Sequence, residues 1–249
     1  MVFNMQRAFD YFGKKVPVSD ITTEKVDDYI LALKQRNLSN ATINRHLAAL
    51  SKIISIASDS HKISKKPKFN RLKETSWRLR WLTEEEVATV LSTCEYLGYS
   101  DLWDAIALSV DTGIRRNELQ ALDKKSYRDG GLLVDGKNHD WRSIPLTHRA
   151  EEILIRRVGV VKHSPCSSFL FPRGAWWRSP WERVRGLSGL GDDVVWHTLR
   201  HTFASRLAQK GVQLSVLKDL MGHKTIQTTM QYAKISGKNT KDAIALLEQ

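Results

Sequence analysis

The 249-residue chain is poor in cysteine, in long apolar runs and in acidic charge. Its two cysteines, Cys94 and Cys166, lie far apart and match no metal-ligand spacing, which predicts buried thiols in a reducing compartment. No run approaches the roughly 18 consecutive apolar residues of a membrane span, and the opening MVFNMQRAFDYFGKKV lacks the plan of a secretory signal. We therefore expect an intracellular protein without a membrane partner.

Basic residues outnumber acidic ones by 39 to 27, a net charge of +12 that points to nucleic acid as a partner. Residues 1–80 hold +9 of this charge, and residues 62–80 alone hold +7, so the excess is concentrated. This segment is either a solvated tether between domains or a segment that lies along a phosphate backbone, where each contact releases counterions. The second interpretation makes DNA-binding candidates of Lys65, Lys66, Lys68 and Arg71.

The pattern predicts a small helical domain over residues 1–66, a basic linker over 67–81 and a larger domain over 82–249. In the first domain, DITTEKVDDYILALKQRN begins with a capping candidate, and SNATINRHLAALSKIISIAS carries an apolar stripe at helical spacing. The polar face of this second helix offers Asn44 and Arg45, which either contact DNA or are simply solvated.

The larger domain alternates helical and extended patterns. LTEEEVATVLSTC and LWDAIALSVDTG predict helices, the second ending at Gly113, and GGLLVDGKNHDWRSIPL predicts two short strands around a polar turn. Helices account for most of the remainder. The expected fold class is mainly α with a small antiparallel β-sheet (α+β).

Two segments place cations beside potential partners. WHTLRHTFASRLAQKG brings His197, Arg200 and His201 onto one helical stripe, where Thr198 and Arg200 disfavour zinc and favour a phosphate. In TGIRRNELQAL, Arg115 and Glu118 lie on the same helical stripe. The two residues form either a structural ion pair or a site in which Glu118 orients Arg115 for bidentate binding of an anion.

The segment LSVLKDLMGHKTIQTTMQYAK predicts a helix that ends at Gly222, then His223, then a second helix capped by Thr225. Ile226, Met230 and Ala233 form the expected apolar stripe of that second helix. Tyr232 falls off this stripe, which predicts an exposed side chain.

Together, TGIRRNEL, DGKNHDWRSIPL, HTLRHTFASRL and LMGHKTIQTTMQYAK resemble the tyrosine recombinase, or phage integrase, family over nearly all of residues 82–235. Residues 18–60 resemble, more weakly, the family's helical core-binding domain. The resemblance implies a SAM-like core-binding domain, here with a shortened first helix, followed by a tyrosine recombinase catalytic domain.

The resemblance also implies roles for individual residues. Arg115 and Arg200 would clamp the scissile phosphate, with His197 and His223 assisting. Lys137 would be the general acid and Tyr232 the nucleophile. Glu118 and His201 match supporting positions, and no metal or other cofactor is implied.

The implied function is site-specific DNA recombination through a covalent 3′-phosphotyrosyl intermediate, without metal or ATP, in the cytoplasm of a bacterial host. The implied partners are double-stranded DNA with core-type sites and three further copies of the chain, joined through the tail TKDAIALLEQ. That tail could instead pack on its own domain. Two other functions remain open: a type IB topoisomerase-like enzyme and a catalytically silent DNA-binding protein.

Overall fold

The computed structural model describes residues 2–60, 63, 66–74, 79–136, 141–162 and 168–235, with the backbone alone for residues 2–4 and 162. The chain divides into two compact units, Met1–Arg78 and Leu79–Gln249. The bounds 67–81 for a separate linker stay a prediction. None of the helices within the described ranges is long and apolar enough to cross a membrane.

The first unit is helical. It contains α1 (Val2–Phe12), a 3-10 helix (Val18–Asp20), α2 (Thr23–Gln35) and α3 (Asn40–Asp59). The side chains of Thr22 and Ser39 cap α2 and α3 by accepting from Lys25 N and Thr42 N. The predicted apolar stripe of α3 is fully buried against α2; it consists of Ile43, Leu47, Leu50 and Ile54.

Asn44, a predicted DNA contact, is hydrogen-bonded within its own unit. Its amide nitrogen donates to the carbonyl of Leu72 (2.9 Å) and to Glu74 (2.7 Å), and its oxygen accepts from Leu72 N (2.9 Å). A buried amide has to be hydrogen-bonded, and this one is occupied by the basic segment of its own unit. Arg45, the next residue, is exposed.

The second unit is mainly helical with one small sheet, which confirms the predicted fold class. Its elements are α4 (Glu84–Tyr96), α5 (Ser100–Thr112), α6 (Arg116–Ala121), β1 (Tyr127–Arg128), β2 (Gly131–Asp135), β3 (Trp141–Pro145), α7 (His148–Lys162), α8 (Arg178–Leu187), α9 (Trp196–Gln209), α10 (Leu214–Met221) and α11 (Ile226–Thr229), which continues as a 3-10 helix (Met230–Tyr232). The strands form one antiparallel sheet in the order β1-β2-β3. The two-residue β1 is one strand more than the sequence predicts.

Helix α5 lies at the centre of this unit and packs against α4, α7 and α9. It ends as predicted at Gly113, whose φ of 63° is left-handed. A Cβ at this position would lie 2.4 Å from the Phe203 ring of α9, so only glycine fits here. The close approach also brings the Gly113 carbonyl to the helix that carries Arg200.

The predicted stripe of the last helix is wrong. Met230 is 55% exposed, whereas Thr229 and Tyr232 are buried. The α-helix lasts four residues and then tightens into a 3-10 turn. With three residues per turn, positions i and i+3 share a face, and this rotates Tyr232 inward.

Candidate active site

Three guanidinium groups from three different segments meet at the C-terminal end of α10. Arg142 Nε donates to the carbonyl of Leu220 (3.2 Å), Arg200 Nη2 to that of Met221, and Arg115 Nη2 to that of Gly222 (2.8 Å). The last carbonyls of a helix lack partners within the helix and form the negative end of its dipole. This helix end therefore joins β3, α9 and the segment before α6 at one place.

Arg115 caps α6 in an extended conformation directly after Ile114. Glu118 accepts its backbone N–H at 2.9 Å and its Nη1 at 2.7 Å. The Arg115 side chain is 37% exposed, whereas that of Glu118 is 8% exposed. The carboxylate thus holds the backbone and the guanidinium from below and leaves part of the guanidinium open to a ligand.

Glu118 also receives both terminal nitrogens of Arg142, at 3.1 and 2.8 Å. Burial raises the pKa of Glu118, but hydrogen bonds and charge from Arg142, together with those from Arg115, outweigh it and bring the pKa to about 2. Glu118 is therefore a carboxylate at any physiological pH.

Arg200 is 2% exposed and is the largest fully buried side chain among the described residues. Its Nη1 donates to the Gly113 carbonyl (2.5 Å), and its Nη2 to that of Met221. Burial, followed by the nearby charge of Arg115, lowers its pKa to about 9, so the group still carries its charge at neutral pH. Both acceptors are neutral carbonyls, so this buried guanidinium can gain from an added anion.

Three histidines surround this cation. Burial, followed by neighbouring charges, lowers the pKa values of all three, to about 4 for His201 and His223, so these two are neutral at pH 7. The rings of His197 and His201 lie 4.7 Å apart, edge to face. His223 Nδ1 lies 2.9 Å from Thr229 Oγ1, which fixes the ring at the start of the turn after α10.

Tyr232 is 1% exposed and packs with Ala204, Ala208 and Met221. Its hydroxyl lies 2.7 Å from Nδ1 of His201, within hydrogen-bond distance. Burial raises the pKa of Tyr232 to about 12 although Arg200 opposes the shift. The phenol is therefore neutral and covered in the chain without DNA.

A cleft of about 750 Å³ opens beside this cluster. Of the predicted site residues, Arg115, Glu118 and His223 line it, whereas His197, Arg200, His201 and Tyr232 do not. Lys137 lies outside the described residues; its neighbour Gly136 lines the cleft. Seven of the predicted site residues influence one another's charge and form one electrostatic cluster: Arg115, Glu118, His197, Arg200, His201, His223 and Tyr232.

The predicted DNA-binding residues belong to the first unit. Lys68 and Arg71 are exposed, Lys66 lies 3.8 Å from Asp59, and Lys65 lies outside the described residues. These side chains are available to phosphate, but no contact in the structure assigns them to it.

Sequence reasoning missed the placement of Arg142. A signal was present, because Arg142 and the buried Ile144 are two residues apart on β3 and therefore share its inward face. Sequence reasoning also missed Lys218 and Lys224, which line the cleft. Neither lysine belongs to a periodic pattern in the sequence that would mark it as part of a site. Within the described ranges, no three His, Cys, Asp or Glu side chains come together in a way that could hold a metal ion.

The phage integrase family model matches residues 80–238 of this chain. A tyrosine recombinase of Thermosipho africanus is 26% identical over 98% of this chain and 90% of its own length. The integrase of Haemophilus phage HP1 is 24% identical over 94% of this chain and 67% of its own length.

Solved structures of the same kind share the fold. The Tn1549 transposon integrase in complex with circular intermediate DNA superimposes with a TM-score of 0.78 at 21% identity, covering 100% of this chain and 93% of that one. A lambda integrase tetramer bound to a Holliday junction gives a TM-score of 0.76 at 22% identity, covering 96% and 72%.

Proposed function

Since this chain belongs to the phage integrase family and is a site-specific DNA recombinase, we propose that Tyr232 is its nucleophile and that Arg115 and Arg200 clamp the phosphate it attacks. The observation that carries the proposal is that the two arginines donate hydrogen bonds to adjacent backbone carbonyls, Arg200 to Met221 and Arg115 to Gly222. A guanidinium group matches phosphate oxygens bidentately, so two of them anchored on neighbouring carbonyls suit the nonbridging oxygens of a phosphodiester.

The reaction forms a bond between Tyr232 Oη and phosphorus and breaks the bond from phosphorus to the 5′ oxygen. The phenol proton passes to a histidine of the cluster, and Lys137 supplies a proton to the departing oxygen, leaving a 5′ hydroxyl. Phosphodiester chemistry depends mainly on positioning and charge stabilisation. The buried guanidinium of Arg200 and the partly exposed one of Arg115 supply both, and the phosphotyrosyl bond keeps the energy needed for rejoining.

The attacking oxygen needs help from its surroundings. An ordinary tyrosine, with a pKa near 10, is about one part in a thousand ionised at pH 7, and this one starts at about 12. The charge of Arg200 offsets part of this rise in pKa, but the phenol is only 1% exposed. Cleavage therefore includes a movement that uncovers the phenol.

We extend the proposal to the partners. The Tn1549 and lambda integrases in the solved structures are bound to DNA, the latter as a tetramer. We propose that this chain likewise binds double-stranded core-type sites and assembles as a tetramer, with Ile244, Leu246 and Leu247 of the tail on a neighbouring copy. Light scattering of the DNA complex tests the assembly: Leu246→Asp with Leu247→Asp should leave dimers or monomers on DNA.

The chemistry is tested with nicked DNA duplexes that contain candidate core-type recombination sites. They are incubated with the full chain in the presence of EDTA. A covalent protein–DNA band is expected for the natural chain and none for Tyr232→Phe. Tyr96→Phe is the matched control, because Tyr96 is 87% exposed in the same unit. Cleavage that persists in Tyr232→Phe would remove the nucleophile assignment. Relaxation of supercoils without strand exchange between duplexes would favour the topoisomerase-like alternative.

A further inference from the structure

Arg142 is a third arginine in the site, on the inward face of β3 opposite Val134. Its side chain is 11% exposed. A guanidinium buried to this degree is costly unless its donors are paired, so its partners show what it holds in place.

Those partners lie on two other segments. Arg142 makes a bidentate pair with Glu118 and donates from Nε to the carbonyl of Leu220. Its side chain also lies against the turn after α10, where a Cβ added at Gly222 would lie 3.0 to 3.2 Å from Nη1, Cδ and Cζ of Arg142. The left-handed φ of 58° favours glycine at 222, and a larger residue would also crowd Arg142.

Two of these neighbours, Glu118 and Gly222, also contact Arg115 of the proposed phosphate clamp. Glu118 holds Arg115, the Gly222 carbonyl accepts from the same Arg115, and His223 follows Gly222 directly. Arg142 therefore braces both supports of Arg115 at once.

Arg142 also sets the charge of the clamp. Alone with Glu118, Arg115 would form a neutral pair with less attraction for phosphate. With both oxygens of Glu118 shared with Arg142, the three groups carry one net positive charge. The shared carboxylate keeps Arg115 in place without cancelling the cation.

We propose that Arg142 is a positioning residue that fixes Glu118 and the end of α10, so that Arg115 and His223 present their donors to the phosphate. The inference rests on the proposed function, because it assigns Arg142 an effect through Arg115. Three of its five N–H donors are committed to protein acceptors, which assigns its main action to holding Glu118 and the end of α10.

The test compares Arg142→Lys with Arg149→Lys in the full chain. Arg149 makes a similar bidentate pair with Asp111 (2.8 and 2.6 Å) outside the cleft, and so controls for the general loss of a forked ion pair. Rates of covalent complex formation are measured at saturating DNA, on the duplex that the natural chain cleaves best, below the unfolding transitions of all variants.

We expect Arg142→Lys to slow cleavage by about 10- to 100-fold, the scale of a displacement of about 1 Å in a catalytic group. DNA affinity should change less than about threefold, and Arg149→Lys should cleave at the natural rate. The double variant Arg142→Lys with Glu118→Gln should be no slower than the worse single variant, because both act on the same support.

A substrate with sulfur in place of the bridging 5′ oxygen separates this role from help to the leaving group. A thiolate leaves without a proton, so this substrate should restore cleavage to Lys137→Ala but not to Arg142→Lys. Restoration in Arg142→Lys, equal rates for Arg142→Lys and Arg149→Lys, or additive losses in the double variant would each overturn the inference. Full activity of Arg115→Lys would instead overturn the proposed clamp.

Discussion

The hydroxyl of Tyr232 lies 2.7 Å from Nδ1 of His201, and both side chains belong to the same chain. The contact joins the 3-10 turn after α11 to α9 and keeps the phenol beside Arg200. It also covers the proposed nucleophile, so the proposed attack requires this hydrogen bond to be broken.

Replacement of His201 by phenylalanine should lower the free energy of unfolding of the second unit and lower the cleavage rate. The ring of phenylalanine offers no acceptor, so the buried hydroxyl loses its partner, at a cost of about 1 to 3 kcal/mol in the free energy of unfolding. Urea unfolding and the rate of covalent complex formation measure the two effects. A variant with natural stability would show that the hydrogen bond is not formed in solution.

Acid should destabilise the second unit through His201 and His223. Their folded pKa values of about 4 lie below the unfolded value of 6.5, so the unfolded chain binds more protons between these limits. The free energy of unfolding is therefore undiminished by these two histidines above pH 6.5 and decreases as the pH falls towards 4. After allowance for partial exposure, we expect a loss of about 2 kcal/mol from pH 7 to pH 5.

Urea unfolding at a series of pH values measures this loss. His201→Asn with His223→Asn should reduce the slope of the curve between pH 7 and pH 5 and leave the part due to His197, whose pKa is also lowered by burial. Glu118, with a pKa of about 2, does not titrate in this window and cannot account for the loss. A double variant with the natural pH dependence would place the titrating groups elsewhere.

Local signals in the sequence predicted the elements that carry the site. Thr83 with Glu86 forms a complete capping box at the start of α4, and left-handed glycines end α5 and α10. Such signals act within one turn of chain, so the sequence shows them directly.

The features that the sequence did not predict depend on contacts between distant segments. Asn44 was assigned by its position on a polar helix face, but its partners Leu72 and Glu74 lie about thirty residues away in sequence. The switch from α-helix to 3-10 turn that buries Tyr232 follows from packing with α9 and α10, which periodicity within one segment cannot show. The placement of Lys137 and the interdomain bounds stay predictions.

Arg115→Lys should lose about three powers of ten in cleavage rate, on the scale known for arginines that stabilise phosphoryl transfer. A lysine keeps the charge but cannot bind both Glu118 and the Gly222 carbonyl while offering donors to a phosphate. Arg116→Lys is the control, because Arg116 is exposed and stacks on Trp177 at 4.8 Å. A defect confined to DNA affinity would contradict the clamp.

Asn44→Ala should destabilise the first unit by about 1 to 3 kcal/mol, since it leaves the N–H and carbonyl of Leu72 without their partner. Arg45→Ala, at the exposed neighbouring position, should leave the free energy of unfolding within about 0.5 kcal/mol of the natural value. Urea unfolding of the full chain distinguishes them. Equal stabilities would return Asn44 to the list of candidate DNA contacts.

Neutralising Lys65, Lys66 and Lys68 together should reduce the salt dependence of DNA binding. Each phosphate contact contributes about 0.9 to the slope of log K against log salt, so the triple glutamine variant should lower its magnitude by two to three. The ion pair of Lys66 with Asp59 is long and exposed, and does not compete strongly with phosphate.

The matched control replaces Lys14, Lys15 and Lys25, three exposed lysines of the same unit, and removes the same total charge. If the basic segment lies along the DNA backbone, the control changes the slope far less than the test variant, because the Debye length of about 10 Å at 0.1 M salt screens charges that do not touch phosphate. Equal slopes for both variants would mean that the segment acts only through net charge, as a tether would.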